Sequence, residues 1–231
     1  MYTNTRSMGN KREELEAMVQ QQSYDVVAIT ETWWDESHGW STALDGYKLF
    51  RRDRRGRRGA GVALYMKKGF DTLSIETNED GVERLCVRIK GKANKADILL
   101  GVCYRPPNQE EQGDNLFYKQ LGNVSGSSAL VLVGDFNLPD ICWELNTAER
   151  RQSRKFLECV ENNLLLQLVG EPTRGRTILD LLFANRDGLV GDVVVGGQLG
   201  QSDHGIIEFL KFGEIGRNTY IGFPEGRLWP I

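Results

Sequence analysis

The sequence predicts an α/β (α+β) sandwich of two mostly antiparallel sheets with helices on the outside. The 231-residue chain has many short apolar or alternating segments typical of strands, but few helical segments between them. Several predicted strands follow one another directly, which excludes a purely βαβ alternation. We find no internal repeat and predict one domain over residues 1–212, followed by an irregular tail at 213–231 that is rich in glycine and proline.

Two segments have the uninterrupted apolar character of strands that are buried on both faces. One is Val26–Thr30, which is followed by Glu31, and the other is 129–133, which is followed by Gly134-Asp135-Phe136-Asn137. Polar groups just past such strands are held rigidly and can face solvent, where enzymes built on sheets commonly keep reactive groups. We therefore expect Asp135 and Asn137 to lie at the centre of the site.

The remaining elements are predicted from periodicity and from turn residues. Asn10 is expected to cap the first helix, and Arg84 and Arg88 are expected on the exposed face of a half-buried strand. The remaining strands are predicted at 47–50, 59–65, 85–89, 97–104, 177–183, 192–195 and 205–210, and the helices at 11–22, 115–121 and 148–163.

Composition and cysteine usage favour a reduced, intracellular globular protein. Hydrophobic residues make up 40% and charged residues 26% of the chain, which is ordinary for such proteins. No apolar run approaches the roughly 20 residues that span a bilayer, and the first residues lack the apolar stretch of a signal peptide. The four cysteines show no CxxC spacing, so a zinc site is not predicted; they are Cys86, Cys103, Cys142 and Cys159.

Basic charge is concentrated in one segment, residues 51–58. It holds six of the 29 basic and one of the 32 acidic residues, which leaves 23 basic and 31 acidic residues, a net charge of −8, in the rest. One interpretation is a phosphate-contacting patch that includes Arg54 and Arg55. A solvated hairpin loop and a nuclear import signal are the alternatives.

Polar residues at the ends of predicted strands form the candidate site. Glu31, Asp135 and Asp203 offer the hard oxygen ligands that suit Mg²⁺ or Mn²⁺. His204 has carboxylate partners in Asp203 and Asp180 that could keep it charged and able to donate to a phosphate oxygen. Each residue alone is more simply a turn, cap or core residue. Together they favour phosphodiester hydrolysis.

In sequence order, these motifs resemble those of the endonuclease/exonuclease/phosphatase superfamily. The resemblance covers about residues 2 to 212 and is greatest to the apurinic-type endonuclease domain of non-LTR retrotransposons of the chicken-repeat-1 type. The motifs are Asn4 with Arg6-Ser7, Thr30-Glu31-Thr32-Trp33, Tyr104-Arg105-Pro106-Pro107, Gly134-Asp135-Phe136-Asn137, Leu179-Asp180 and Ser202-Asp203-His204.

The resemblance implies a four-layer sandwich, Mg²⁺ dependence (Mn²⁺ being the alternative), and nicking of DNA to leave a 3′-hydroxyl. Metal binding is expected of Glu31, Asp203 and Asn4, and catalysis of Asp135, Asn137, His204, Asp180 and Tyr104. Substrate binding is expected of Arg105, Thr173, Arg54 and Arg55. In an intact element, a reverse transcriptase domain on the same chain would use the new 3′ end, and a DNA substrate implies a nuclear location; no membrane partner is expected.

Two departures from the family pattern lead to further expectations. Only three residues precede Asn4, where the family has a full strand, so the first strand is expected to be truncated; each backbone group left buried and unpaired would cost roughly 1–3 kcal/mol. Residues 212–231 do not resemble the family's continuation. The chain is therefore expected to be a fragment of a mobile element. A phosphatase of inositol lipids or other small phosphoesters, and an inert or binding-only relic, are the competing hypotheses.

Overall fold

The computed structural model describes residues 1–35, 42–54, 60–75, 82–91 and 96–212. Within these ranges the helices are α1 (Arg12–Gln22), α2 (Glu111–Ser125) and α3 (Arg151–Asn162). The strands are β1 (Tyr2–Asn4), β2 (Val26–Thr30), β3 (Tyr47–Arg52), β4 (Val62–Lys67), β5 (Thr72–Ile75), β6 (Glu83–Ile89), β7 (Ile98–Tyr104), β8 (Leu130–Asp135), β9 (Ile141–Cys142), β10 (Thr147–Ala148), β11 (Leu166–Gln167), β12 (Asp180–Ala184), β13 (Val190–Gly196) and β14 (Ile206–Phe212).

Twelve of these strands form two six-stranded sheets. Their orders are β13-β14-β1-β2-β4-β3 and β11-β12-β8-β7-β6-β5, while β9 and β10 pair separately. Each six-stranded sheet contains one parallel pair, β1 with β2 and β7 with β8, and its other neighbours are antiparallel. The predicted fold class of two mostly antiparallel sheets is confirmed, and the first strand is short, at three residues.

The apolar strands are buried on both faces because they lie between two layers. In β8, Val131 and Val133 belong to the core between the sheets, whereas Leu130 and Leu132 pack with residues of α2 and α3. Helix α1 covers the outer face of the other sheet through Leu15. The order of layers is α1, first sheet, second sheet, then α2 and α3, which explains the uninterrupted apolar run that the sequence shows.

The prediction that Asn10 caps the first helix is wrong. The helix begins at Arg12, Lys11 occupies the capping position, and no side chain caps the helix. The Lys11 ammonium instead donates to the carbonyl of Thr5, so this turn is fixed by a contact to the loop after β1. The second helix is also longer than predicted, extending in both directions to Glu111–Ser125.

The prediction of a half-exposed strand at residues 85–89 is correct for Arg88 and wrong for Arg84. Arg84 is 5% exposed, and its guanidinium carbon lies 5.9 Å from the ring centroid of Phe117 in α2. Because α2 covers this face of β6, a long cationic side chain is buried through its apolar stem and an aromatic contact.

The predicted arginine hairpin is formed by β3 and β4, which pair in antiparallel register. Arg51 and Arg52 lie in β3, whereas Arg55 and the tail at 213–231 lie outside the described residues.

Cys86, Cys103 and Cys159 are buried, Cys142 is exposed, and all four are free thiols. In the part of the chain that the structure describes, no helix has the length and apolar character needed to span a bilayer.

Arg105, for which the sequence predicts substrate binding, is a buried residue that follows β7 in the structure. Its side chain is 1% exposed, and it donates to both carboxylate oxygens of Asp114 in α2, at 2.8 and 2.9 Å. The fork geometry satisfies a buried cation and a buried anion together. The pair therefore joins the end of β7 to α2.

We expect Arg105→Ala to lower the free energy of unfolding by about 3–5 kcal/mol, because it leaves Asp114 charged and unpaired in the interior. Chemical denaturation would measure this. Arg151→Ala, which breaks an exposed pair with Glu111, is the control and should cost less than about 1 kcal/mol. If the Arg105 variant had unchanged stability but bound DNA more weakly, the result would support the predicted substrate-binding role of Arg105.

Gly134 is required by the close approach of β7 and β8. A Cβ atom there would lie 1.9 Å from the carbonyl oxygen of Cys103. We expect Gly134→Ala to lower the free energy of unfolding by at least about 3 kcal/mol, because backbone must move. Gly126→Ala at the end of α2, where a Cβ meets nothing within 4 Å, is the control. Equal urea midpoints for the two variants would contradict this account.

Candidate active site

The side chain of Asn4 joins two carboxylates at the end of the sandwich. Its Nδ2 donates to Oε1 of Glu31 and to Oδ2 of Asp135, both at 2.9 Å, and its Oδ1 accepts the backbone N–H of Arg6 at 3.0 Å. If the amide were rotated by 180°, Oδ1 would face both carboxylates, and no hydrogen bond could form between these acceptors. The observed bonds therefore fix the orientation of the Asn4 amide. Asn4 thus lies beside a predicted metal ligand, but its amide serves as a bridge.

Glu31 follows β2 in an unfavourable backbone conformation. Its φ angle is 54°, in the left-handed region that residues other than glycine rarely adopt. The backbone is held there by contacts from Ser7 N–H and from the hydroxyl of Thr5 to the Glu31 carbonyl. The carboxylate accepts from Asn4 and, through Oε2, from the Trp33 indole at 3.2 Å. Both donors are neutral, so the negative charge of this group is not compensated by either of them.

Asp135 ends β8 with both carboxylate oxygens engaged. Oδ1 accepts the backbone N–H of Asn137 at 3.0 Å, and Oδ2 accepts from Asn4. Asn137, with φ of 50°, donates its side-chain amide to the carbonyl of Arg105 at 3.0 Å. Burial, and then the charge of Asp180, raise the pKa of Asp135, while His204 and the Asn137 N–H oppose this rise. A carboxyl with a raised pKa is suited to accept and release a proton.

Asp180 and His204 form a buried pair beside Asp135. The Nδ1 of His204 lies 2.7 Å from Oδ2 of Asp180, and Oδ1 of Asp180 accepts the Tyr2 hydroxyl at 2.6 Å. Burial lowers the pKa of His204, but the hydrogen bond to Asp180 and the charges of the nearby acids more than offset it, so the pKa is raised. The imidazole is therefore biased towards its charged, donating form.

Asp203 lies next to His204 and is held by two arginines. Its Oδ2 is 2.8 Å from Nε of Arg174 and 3.1 Å from Nη1 of Arg6, and its Oδ1 is 3.8 Å from Nε2 of His204. Burial raises the pKa of Asp203, but Arg174 and Arg6 outweigh it, so the pKa is lowered. Oδ1 is buried without a hydrogen-bond partner, which leaves one hard oxygen available to a ligand.

One acidic and imidazole cluster has the spacing of a metal site. Ligand atoms of Asp135, Asp180 and His204 lie within 4.8 Å of one another. However, both oxygens of Asp180 already accept hydrogen bonds, from Tyr2 and from His204. We therefore interpret Asp180 and His204 as a hydrogen-bonded pair, with Asp135 as their neighbour.

The predicted catalytic residue Tyr104 and the predicted substrate-binding residues Arg54 and Arg55 lie in different environments. Tyr104 is buried at 8% exposure, and burial together with the charges of Glu31 and Asp135 raises its pKa, so the phenol stays protonated at neutral pH. Tyr104 and Arg54 both line a groove of about 570 Å³. The Nε of Arg54 lies 3.1 Å from Oε1 of Glu83. Arg55 lies outside the described residues.

Thr173, for which the sequence predicts substrate binding, is a buried residue that supports the site through hydrogen bonds. It is 3% exposed. Its hydroxyl oxygen accepts the backbone N–H groups of Leu179 and Asp180, both at 3.0 Å, and its carbonyl accepts from Gly205 at 2.7 Å. Thr173 therefore fixes the segments that carry Asp180 and His204.

Sequence reasoning missed several residues that position the site. Tyr2 gave no signal, because an aromatic residue in a short strand is ordinary. Ser202 belongs to the Ser202-Asp203-His204 motif, but the motif alone predicts no role for it. In the structure its hydroxyl donates to the Asn4 carbonyl at 2.6 Å and accepts the His204 N–H at 3.2 Å. Arg174 lies in a predicted turn, and its pairing with Asp203 depends on folding.

We expect Asp180→Asn to lower the pKa of His204, because the variant loses the negative charge that stabilises the imidazolium. In the wild type the raised pKa means that this pair stabilises the fold fully below the unfolded pKa, and that the contribution is lost as pH rises through the folded pKa. NMR titration of the imidazole nitrogens measures the pKa of His204. The chain has one other histidine, His38, and the His38→Gln substitution removes its signals so that those of His204 can be assigned. An unchanged His204 pKa would contradict the pairing.

Comparisons with known proteins show the family and the fold of the chain. A model described as the Endonuclease/Exonuclease/phosphatase family matches residues 1–204, whereas no curated protein matches the chain. One similar solved structure is the endonuclease domain of TRAS1, a telomere-specific non-LTR retrotransposon, with TM-score 0.70, 16% identity, and coverage of 90% of this chain and 94% of that one. Another is an AP endonuclease from Leishmania major, with TM-score 0.70, 16% identity, and coverage of 90% and 85%.

A third similar structure is a mannosyl-6-phosphatase from Bacteroides thetaiotaomicron, with TM-score 0.56, 14% identity, and coverage of 91% and 98%. At such identities the structural likeness shows the fold alone. The family match spans most of the chain and includes each residue of the site described above. The chain belongs to the endonuclease/exonuclease/phosphatase family, whose members are hydrolases of phosphoester bonds.

Proposed function

We propose that the chain is a Mg²⁺-dependent endonuclease that nicks DNA and leaves a 3′-hydroxyl. The observation that carries the proposal is the link from Glu31 through Asn4 to Asp135, next to the Asp180–His204 pair. In this proposal Glu31 is a metal ligand, Asp135 is the base and His204 is the phosphate donor, all at one end of the sandwich. Hydrolysis of a phosphodiester needs these three functions together.

Asp135 is proposed as the group that accepts a proton from the attacking water. The water oxygen forms a bond to phosphorus, the bond from phosphorus to the 3′ oxygen breaks, and that oxygen leaves with the electron pair and takes up a proton. The Asn137 N–H and the Asn4 amide hold the Asp135 carboxylate in one orientation. Fixing the base before reaction avoids the entropic cost of orienting it during reaction.

His204 is proposed to donate to a non-bridging phosphate oxygen. Asp180 accepts at Nδ1, so the charged imidazole presents its Nε2 proton, and Tyr2 and Thr173 hold Asp180 in turn. Tyr104, which keeps its phenolic proton, is a second donor for the phosphate or the leaving oxygen. Donors that are already oriented stabilise the negative charge that develops on the phosphate.

The residues present fit a hard divalent cation. Glu31 has only neutral described partners in Asn4 and Trp33, and Asp203 has a buried oxygen without a hydrogen-bond partner. Carboxylate oxygens of this kind suit Mg²⁺ or Mn²⁺. Glu31 and Asp203 would hold the ion, with Asn4 beside Glu31, and the bound ion would supply Lewis-acid stabilisation of the phosphate.

Charge around the site favours a polyanionic substrate over a small phosphoester. Arg6 and Arg174 keep side-chain exposures of 50% and 40% although they pair with Asp203, and Arg54 lines the groove next to Tyr104. Arginines spread along such a surface can contact successive phosphates. In an intact element, a reverse transcriptase domain on the same chain would extend the 3′-hydroxyl, and the site of action would be the nucleus.

The proposal predicts that purified wild-type chain nicks supercoiled plasmid in Mg²⁺, and that Asp135→Ala and His204→Ala each reduce the rate by about 10²–10⁴-fold, because each removes a group that acts in the transition state. Gel analysis measures the nicking rate, and extension by a DNA polymerase identifies the 3′-hydroxyl. Asp71→Ala, at an exposed ion pair with Lys90, is the matched control and should nick normally.

Three outcomes would overturn the proposal. Equal nicking by wild type and both variants would indicate a contaminating nuclease. A cooperatively folded wild type that does not nick would support an inert or binding-only relic. Release of phosphate from small phosphoesters without plasmid nicking would identify a phosphatase.

A further inference from the structure

Trp33 is an exposed aromatic residue placed directly beside the candidate catalytic carboxylates. Its side chain remains 42% exposed, although its indole Nε1 donates to Glu31 at 3.2 Å. Its φ angle is 56°, a conformation that is unfavourable for a bulky residue. The Trp33 backbone N–H donates to Ala60 at 2.9 Å, so the main chain holds this conformation. A strained residue that leaves a large ring exposed beside a reactive group suggests a functional role.

A cavity of about 350 Å³ adjoins the ring and is lined in part by Arg6, Ser7, Lys11 and Trp33. This volume lies within the range of pockets that bind small organic ligands. Arg6 keeps half of its side chain exposed, and its backbone N–H is bonded to Asn4. The cavity thus combines an aromatic face with an accessible guanidinium, next to Glu31 and Asn4.

We propose that Trp33 stacks on a nucleobase of the nucleotide next to the scissile phosphate, while Arg6 contacts a phosphate of that strand. This inference rests on the proposed nuclease function and adds the substrate element that the site recognises. The bond to Glu31 fixes one edge of the indole, so the ring is held at a set distance from the reacting groups. Stacking requires a base with one free face, so the cavity takes a single-stranded or locally unpaired strand.

The test measures binding without cleavage, in EDTA, using an eight-nucleotide oligothymidylate and an oligomer of the same length in which every nucleoside is a base-free tetrahydrofuran unit. We expect Trp33→Ala to weaken binding of the oligothymidylate by about 5- to 100-fold, as for loss of one stacked base. Binding of the base-free oligomer should change less than about twofold. Trp33→Phe keeps an aromatic face and should retain most of the affinity, whereas Trp33→Leu should behave as Trp33→Ala.

Leu164→Ala is the surface control. Leu164 is 80% exposed and lies just before β11. In β11, Leu166 pairs with Ala184, which is the last residue of β12, whereas Asp180 is the first, so Leu164 lies at the end of β12 away from the site. Its affinity for both oligomers should equal that of the wild type. Circular dichroism of each variant checks that the fold is retained.

Each contrary result overturns the inference in a recognisable way. If the wild type nicks plasmid and Trp33→Ala binds the oligothymidylate normally, the stacking role is wrong and the nuclease function stands. If Phe and Ala variants lose affinity equally for both oligomers, Trp33 acts by orienting Glu31 and stacking is again wrong. If the wild type binds neither oligomer and does not nick, both the nuclease function and the stacking role are wrong.

Discussion

The candidate site depends on two hydrogen bonds by which β1 joins the two sheets. Tyr2 and Asn4 are two residues apart, so they project from the same face of β1; Tyr2 donates to Asp180 and Asn4 donates to Asp135. Asp180 and Asp135 are themselves opposite each other in the register of β12 and β8. A strand of only three residues therefore holds the side chains of two acids that belong to the other sheet.

This arrangement brings acids together at a cost in stability that neighbouring groups offset. Asp135 and Asp180 are buried and adjacent, and burial together with the charge of Asp180 raises the pKa of Asp135. The Asn4 amide, the Asn137 N–H and the Tyr2 hydroxyl donate to these carboxylates, and His204 adds a cation. Gly134 permits the close approach of β7 that places Asp135 near Tyr104. Backbone strain at Glu31 and Asn137 is consistent with a site shaped for chemistry rather than for stability.

The sequence was sufficient for the fold because a strand between two layers is apolar on both faces, as in β2 and β8. It was not sufficient where a residue's environment depends on a distant element. Arg84 alternates like an exposed residue, but α2 covers it, and Arg105 lies within a motif yet turns to Asp114. Asp135 and Asp180 were predictable as candidates because each is a carboxylate next to an apolar segment, and the structure places each at the end of a buried strand. Tyr2 carries no local signal, because its role arises only when β1 and β12 meet.

The division between buried and exposed groups separates chemistry from substrate choice. Asp135, Asp180 and His204 are almost fully buried and are held by bonds that any phosphoester hydrolase could use. The groups at the surface differ in kind: Trp33 is exposed beside Glu31, and the partly exposed Arg54 lines the same groove as Tyr104. Under the proposed nuclease function, the nucleic-acid strand around the reacting bond, more than the bond itself, would determine which phosphoesters the site accepts, because an aromatic face can stack on a base and spaced arginines can contact successive phosphates.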